Sequence, residues 1–315
     1  MQDSHRPRIG IIGTGAIGGF YGLMLARAGH DVHFLLRSEY AAVAEHGLRL
    51  NSAVHGQLHL QPVQAWDNAD DMPPCDWLLV GVKTTANTEL AALITRLAAP
   101  QAKVVLLQNG LAVEEQLRPL LPESLHLLGG LCFICTHRSA PGVIEHQALG
   151  AVNLGYHSGP DGSQESARRL VAEGVALFHS AGIESTAMDD LTSARWQKLV
   201  WNVPYNGLSV LLDAGTSKLM ANAESRQLIE DLMLEVVQGA AACGYRLPAD
   251  YPRQLLTATE RMPDYLPSMY HDFAHRRPLE LEAIYAAPLS AAATAGCELP
   301  KMRMLLQALR FLDES

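Results

Sequence analysis

Along the first 190 residues, apolar positions fall into short blocks separated by stretches of helical period. Residues 8–12 form a nearly continuous apolar run, the pattern of a strand buried on both faces. Residues 16–28 carry helical spacing and stop at Gly29, a residue suited to the left-handed position after a helix. The pattern continues with a strand at 31–36, a short helix at 41–46 ending at Gly47, and a hairpin formed by 49–51 and 57–60 around Gly56. A buried strand follows at 77–82, introduced by Pro73-Pro74, then a helix at 89–97 and a strand at 103–108. Segments 125–135 and 143–154 are β-rich, and a long helix at 163–181 closes at Gly182. Alternating strand and helix predicts a parallel sheet with crossover helices.

After about Leu191 the strand signals stop. Ala-, Leu- and Met-rich helical stretches follow near 192–212, 217–243, 250–261, 278–295 and 300–312. At 315 residues the chain exceeds what one hydrophobic core usually serves. The reading is α/β: an N-terminal Rossmann-type parallel-sheet domain at 1–189, then an all-α C-terminal domain at 190–315. A ligand cleft is expected between such domains.

Composition narrows the class. Apolar content of 48% and charged content of 18% suit a soluble globular protein. No apolar run reaches the roughly 18 residues that would span a bilayer, so no membrane partner is expected. The first apolar run leads into a glycine turn rather than a small-residue cleavage site, which favours a cytoplasmic protein. A net charge of −9 argues against a nucleic-acid partner but not against an anionic substrate. The five cysteines are odd in number and scattered, so no disulfide scaffold is expected. Cys132 and Cys135 have CxxC spacing within a strand-like segment and read as two apolar thiols. The thirteen histidines, His5, His30, His33 and His46 among them, are dispersed. His55-x3-His59 falls in the expected hairpin, and His271-x3-His275 has helical spacing but no third ligand nearby, so no metal site is expected. The sequence leaves a homodimer open.

Candidate chemistry starts at Gly13-Thr14-Gly15-Ala16-Ile17-Gly18, a GxGxxG run between a strand and a helix. In that context Gly13 allows a tight turn, Gly15 lets backbone approach a pyrophosphate, and Gly18 allows helix to pack on strand. The helix N-terminus then offers N–H groups to the phosphates. The second strand ends Leu36-Arg37-Ser38. A site for NAD usually carries an acid there, whereas Arg37 suits a 2′-phosphate, so the cofactor is expected to be NADP (NADPH). The alternatives are Glu39 on an unphosphorylated ribose, or S-adenosylmethionine in the same glycine turn. Lys83 and Asn109 follow strands at the carboxyl edge of the sheet, where such folds bind ligands. In the helical half, Lys198, Asn202 and Asn206 stand at i, i+4 and i+8 and so share one face of an otherwise apolar helix. If buried, that stripe must find partners. Pro204 lies within the helix and is expected to kink it and free the Val200 carbonyl.

These motifs together resemble the ketopantoate reductase (2-dehydropantoate 2-reductase) family. The resemblance rests on Gly13-Thr-Gly-Ala-Ile-Gly18, Gly81-Val-Lys83-Thr84, Leu107-Gln-Asn109-Gly-Leu111 followed by Glu114-Glu115, Pro141-Gly-Val143, the Lys198-x3-Asn202-x3-Asn206 helix, Ser268-Met269 and Arg277-Pro-Leu-Glu280. It covers nearly the whole chain. It implies NADPH-dependent reduction of ketopantoate to pantoate, in pantothenate and coenzyme A biosynthesis. Lys198 would be the general acid, and Asn202, Asn206, Ser268 and Glu280 would hold the substrate. Lys83 and Asn109 would serve the cofactor side. The chain departs from the family where it reads Asp213-Ala-Gly-Thr216-Ser217-Lys218 in place of an Asn-Gly segment. Two alternatives therefore stay open: a reductase of another small 2-keto acid, and a non-catalytic NADP-sensing protein.

Overall fold

The computed structural model describes residues 6–83 and 87–314; Thr84 of the Val-Lys segment and His5 lie outside them. The chain divides into two compact units, one of residues 1–108 with 113–191, the other of residues 109–112 with 192–315. The sequence reading drew a single cut at 189/190, and the short segment 109–112 is grouped instead with the helical unit.

The first unit begins β1 (Arg8–Ile12), α1 (Ala16–Arg27), β2 (Asp31–Leu35), α2 (Tyr40–His46), β3 (Leu48–Ser52), β4 (Gly56–Leu60) and β5 (Gln64–Trp66). It continues with β6 (Cys75–Val80), α3 (Asn87–Leu97), β7 (Ala98–Leu106), α4 (Val113–Leu117), β8 (His126–Ala140), β9 (Val143–Ser158) and α5 (Gln164–Ser180). The sheet order is β4-β3-β9-β8-β7-β6-β1-β2-β5. Within it β5-β2-β1-β6-β7-β8 run parallel, the strand order of a dinucleotide-binding sheet. Ile9 pairs with Val32 and Ile11 with Phe34, and Ile9, Ile11, Phe20 and Phe34 are sealed in one core. Glycines 29, 47 and 182 end helices in the left-handed conformation, as expected. Ser163 caps α5 by accepting the Ser166 N–H at 3.2 Å.

Several boundaries differ from the sequence reading. The β-rich segments 125–135 and 143–154 are one long antiparallel hairpin, β8–β9. Its polar ends pair backbone to backbone even where side chains are exposed, so hydropathy alone understates its length. A bulge between Phe133 and Ile134 interrupts the alternation around the CxxC pair. Both cysteines are buried thiols, and burial pushes Cys135 up to about 11. The short edge strand β5 escaped notice because three residues give no period.

The second unit is helical: α6 (Leu191–Leu211), α7 (Thr216–Ala221), α8 (Ala223–Ala242), α9 (Tyr251–Glu260), α10 (Ser268–Ala274), a π turn (Glu282–Ala286), α11 (Ala287–Thr294) and α12 (Pro300–Asp313). The expected helix at 217–243 is broken at Asn222, whose side chain accepts the Ser225 N–H at 3.0 Å and starts a new helix. The expected helix at 278–295 starts later, at the π turn. Trp196, Val200, Tyr205, Met233, Ile284 and Leu305 anchor the core. Met302 is in this core while Met304 is exposed. No helix among the described residues is long and apolar enough to cross a membrane.

Candidate functional site

The loop from β1 to α1 shows what each glycine is for. Gly13 has φ +90°, and a Cβ there would lie 2.5 Å from Val82 Cγ1 and 2.8 Å from the Val82 backbone nitrogen. A Cβ at Gly18 would lie 2.2 Å from the Gly13 carbonyl oxygen. Both positions are closed by packing. At Gly15 a Cβ would meet nothing within 4 Å. That space opens at the head of α1, which has no side-chain cap and no acid in its first turn. The first-turn N–H groups of Ala16, Ile17 and Gly18 have no intrahelical acceptor, so they can receive an anion such as a pyrophosphate. Thr14 is buried, and its hydroxyl donates to the Leu35 carbonyl at 3.3 Å, tying the loop to the end of β2. Gln108 Nε2 donates to the Val82 carbonyl at 2.9 Å, which steadies the wall behind Gly13.

Beyond β2 the two candidates for the ribose separate cleanly. Glu39 is buried: one carboxylate oxygen accepts the Gly142 N–H at 3.0 Å and the other faces the Arg138 guanidinium. It holds the β8–β9 turn. The Arg37 side chain is 78% exposed, and the exposed Glu89 carboxylate lies 4.0 Å from it. Such a pair contributes little and yields readily to a phosphate. Lys83 is exposed just beyond Val82. These residues fit a dinucleotide.

In the helical unit, α6 carries the polar stripe. Lys198 is half-buried, and Asn202 and Asn206 are 6% and 2% exposed. Asn206 Nδ2 donates to the Asn202 carbonyl at 3.1 Å, and Asn206 Oδ1 accepts the Met269 N–H at 3.3 Å. The second bond seats the first turn of α10, where Ser268 stands half-buried, against α6. Asn202 Nδ2 is buried without a hydrogen-bond partner. A buried amide hydrogen left unpaired costs roughly 1–3 kcal/mol, so the site has a donor waiting for an acceptor. Glu280 is buried one residue before Leu281, and its carbonyl accepts the Ile284 N–H at 3.3 Å at the entry to the π turn.

Asn109 was expected on the cofactor side because it follows a strand. Its segment is pinned within the helical unit: Leu111 N–H donates to the Ala283 carbonyl at 2.8 Å, and Arg195 Nη1 donates to the Gly110 carbonyl at 3.0 Å. Gly110 has φ +104°, and a Cβ there would lie 2.4 Å from Ala283 Cβ. The structure thus gathers Asn202, Asn206 and Ser268 around α6 and α10, and links Asn109 through Ala283 to the turn after Glu280. Arg195, Ala283 and Tyr285 were missed from sequence. Arg195 had a signal, being a charged residue on the buried face three positions before Lys198; the π turn had none.

Pro204 lies inside α6, which runs on through it to Leu211. The Val203 carbonyl, one residue before the proline, receives the Tyr285 hydroxyl at 2.9 Å. The departure at Thr216 has a structural account: its hydroxyl accepts the Tyr265 N–H at 3.0 Å, its own N–H donates to the Tyr265 carbonyl at 3.0 Å, and Asp264 accepts the Ser217 N–H at 2.9 Å. Of the histidine pairs, His59 bonds the His46 carbonyl on the hairpin and His275 bonds the His271 carbonyl at 2.7 Å. Among the described residues no group of three or more His, Cys, Asp or Glu side chains is placed to hold a metal ion.

A parallel sheet in this strand order, with an open glycine cradle at its first helix, joined in one chain to a helical unit bearing a lysine–amide stripe, is the plan of a dinucleotide-dependent oxidoreductase. Comparisons with known proteins sharpen that class. A family model described as ketopantoate reductase PanE/ApbA matches residues 9–159, and its C-terminal counterpart matches residues 190–313. The chain is 42% identical over 303 residues to a 2-dehydropantoate 2-reductase of Nostoc sp., covering 96% of this chain and 94% of that protein. It is similar to the crystal structure of 2-dehydropantoate 2-reductase from Geobacter metallireducens, with TM-score 0.89, 39% identity, and coverage of 96% of this chain and 99% of that one. The corresponding enzyme of Methylococcus capsulatus gives TM-score 0.83 at 34% identity, with 97% and 96% coverage. The chain belongs to the ketopantoate reductase family. A D-mandelate dehydrogenase solved with NADH and anilino(oxo)acetate shares the fold at TM-score 0.84 and 20% identity.

Proposed function

We propose that this protein is an NADPH-dependent reductase of ketopantoate, producing pantoate for pantothenate and coenzyme A biosynthesis in the cytoplasm. The observation that carries the reading is the unpartnered, buried amide of Asn202 one turn from Lys198 on α6. A purely structural stripe would satisfy its own donors, as Asn206 does.

Gly13, Thr14, Gly15, Ala16, Ile17 and Gly18 hold the pyrophosphate with backbone N–H groups, and Arg37 pairs with the 2′-phosphate. Lys83 completes this side. When bound, the dinucleotide supplies the hydride. Lys198 donates a proton to the substrate's carbonyl oxygen as negative charge develops there, and the resulting alkoxide is neutralised as it forms. The Asn202 amide donates to the substrate. Asn206, already held at both ends of its side chain, keeps α6 and α10 in register and contributes its second amide hydrogen. Ser268 donates to the carboxylate, Glu280 accepts from the substrate hydroxyl, and Asn109 orients the reacting groups. A sensor has no use for a proton donor beside an unfilled amide, which weighs against the non-catalytic alternative.

The test is a panel of 2-keto acids assayed by NADPH consumption, with NADH as control. Ketopantoate is expected to give the highest kcat/KM, and NADPH to be preferred over NADH by about tenfold or more, the value of a charge-assisted contact to the phosphate. Faster turnover of another 2-keto acid would reassign the substrate. Cofactor binding with no turnover of any member would overturn the reductase reading.

A further inference from the structure

The regular ladder of α6 is disturbed at a defined place. Pro204 has no N–H to offer the Val200 carbonyl, so the rung ending at residue 204 cannot form. At the neighbouring Val203 carbonyl a side chain from elsewhere takes part. The Tyr285 hydroxyl donates to it at 2.9 Å. It can stand there because residue 207 is glycine: a Cβ at that position would lie 2.6 Å from the phenol oxygen and 2.7 Å from Leu305 Cδ2. Tyr285 is fully buried, and burial raises its pKa far above that of a free phenol, so it remains a neutral donor.

The position of this contact matters. Lys198 and Asn202 precede Val203 on α6, and Asn206 follows it within the same turn. Tyr285 itself lies in the π turn that begins two residues after Glu280 and whose Ala283 carbonyl holds the Leu111 N–H of the Asn109 segment. A single-turn π bulge is a common device where a side chain has to be placed against the regular helical repeat. Here it puts one phenol oxygen in contact with the helix carrying the proton donor, on a stretch of backbone continuous with Glu280.

We infer that Tyr285 is a positioning residue for the reduction, its hydroxyl locking the turn of α6 between Asn202 and Asn206 to the turn that follows Glu280. The inference rests on the reductase reading for its kinetic consequence but not for its structural one. Removing the hydroxyl releases the Val203 carbonyl and lets α6 shift against the π turn.

The experiment is Tyr285→Phe, which keeps the ring and its packing, with Gly207→Ala as a second variant that expels the phenol by a different route. The readouts are the kcat and KM for ketopantoate, the NADPH affinity, the melting temperature and the crystal structure of each variant. The expected result is a fall in kcat of roughly 10- to 100-fold, the cost of a misplacement of about 1 Å in a reacting geometry. NADPH affinity should stay that of the wild type, and the Asn206–Glu280 Cα separation should lengthen. A merely structural tyrosine would lower the melting temperature and leave kcat and that separation unchanged, and this result overturns the inference. If the wild type reduces no 2-keto acid, the functional reading fails by itself, and the Cα separation in Tyr285→Phe still decides the role of the hydroxyl. If Tyr285→Phe does not fold, an unchanged separation and kcat in Gly207→Ala overturn it equally.

Discussion

The glycine loop of the first unit and the polar stripe of the second prepare for a ligand in opposite ways. The loop works by leaving out side chains. Gly13 and Gly18 are glycines because Val82 and the Gly13 carbonyl occupy the space a Cβ would need, while Gly15 is a glycine with nothing against it. The stripe works by putting polar side chains where apolar ones would pack better. Asn206 is satisfied by Met269 and Asn202, and Asn202 keeps a buried donor unfilled. In both regions the residue that protein packing does not explain, Gly15 in one and Asn202 in the other, marks where a ligand is needed to complete the account.

That contrast can be broken most severely at Gly18. Gly18→Ala forces a Cβ against backbone that cannot retreat, and a loss of about 3 kcal/mol or more is expected, read as a fall in the urea midpoint. Gly15→Ala is the sharper comparison. It should fold with wild-type stability, yet weaken NADPH by roughly 10- to 100-fold, because the methyl group occupies the path of the phosphates and costs hydrogen bonds to charged groups. Equal effects of the two substitutions on stability would dissolve the distinction between packing glycine and ligand glycine. A smaller effect is expected for Arg37→Ala, about tenfold on the NADPH Kd with NADH unchanged, measured by fluorescence titration at low salt. An equal loss for both cofactors would move the 2′-phosphate contact elsewhere.

The same contrast explains what the sequence disclosed. The glycine loop was legible because its requirements are local: a turn, a close approach and a helix start, all within six residues. The Lys198, Asn202 and Asn206 stripe was legible because one helix supplies its own spacing. The β8–β9 hairpin was readable in kind but not in length, since its polar ends are held by backbone pairing that leaves no apolar trace. The break at Asn222 was masked by helix formers on both sides of the cap. What could not be read was long-range: Arg195 reaching the Gly110 carbonyl, Ala283 holding Leu111, and Tyr285 reaching the Val203 carbonyl of α6 come together across 85, 172 and 82 residues. No local pattern records such meetings. Asn109 shows the same limit: its place after a strand is a local signal, while the bonds that fix Gly110 and Leu111 beside it come from Arg195 and Ala283.

The most direct measurement of the central claim, that the first unit holds the cofactor and α6 supplies the proton, is Lys198→Ala assayed for both functions at once. The account predicts an unchanged NADPH Kd and a kcat for ketopantoate lower by roughly 10²- to 10⁴-fold, the usual contribution of a positioned general acid. A variant that binds NADPH normally and keeps wild-type kcat would contradict it.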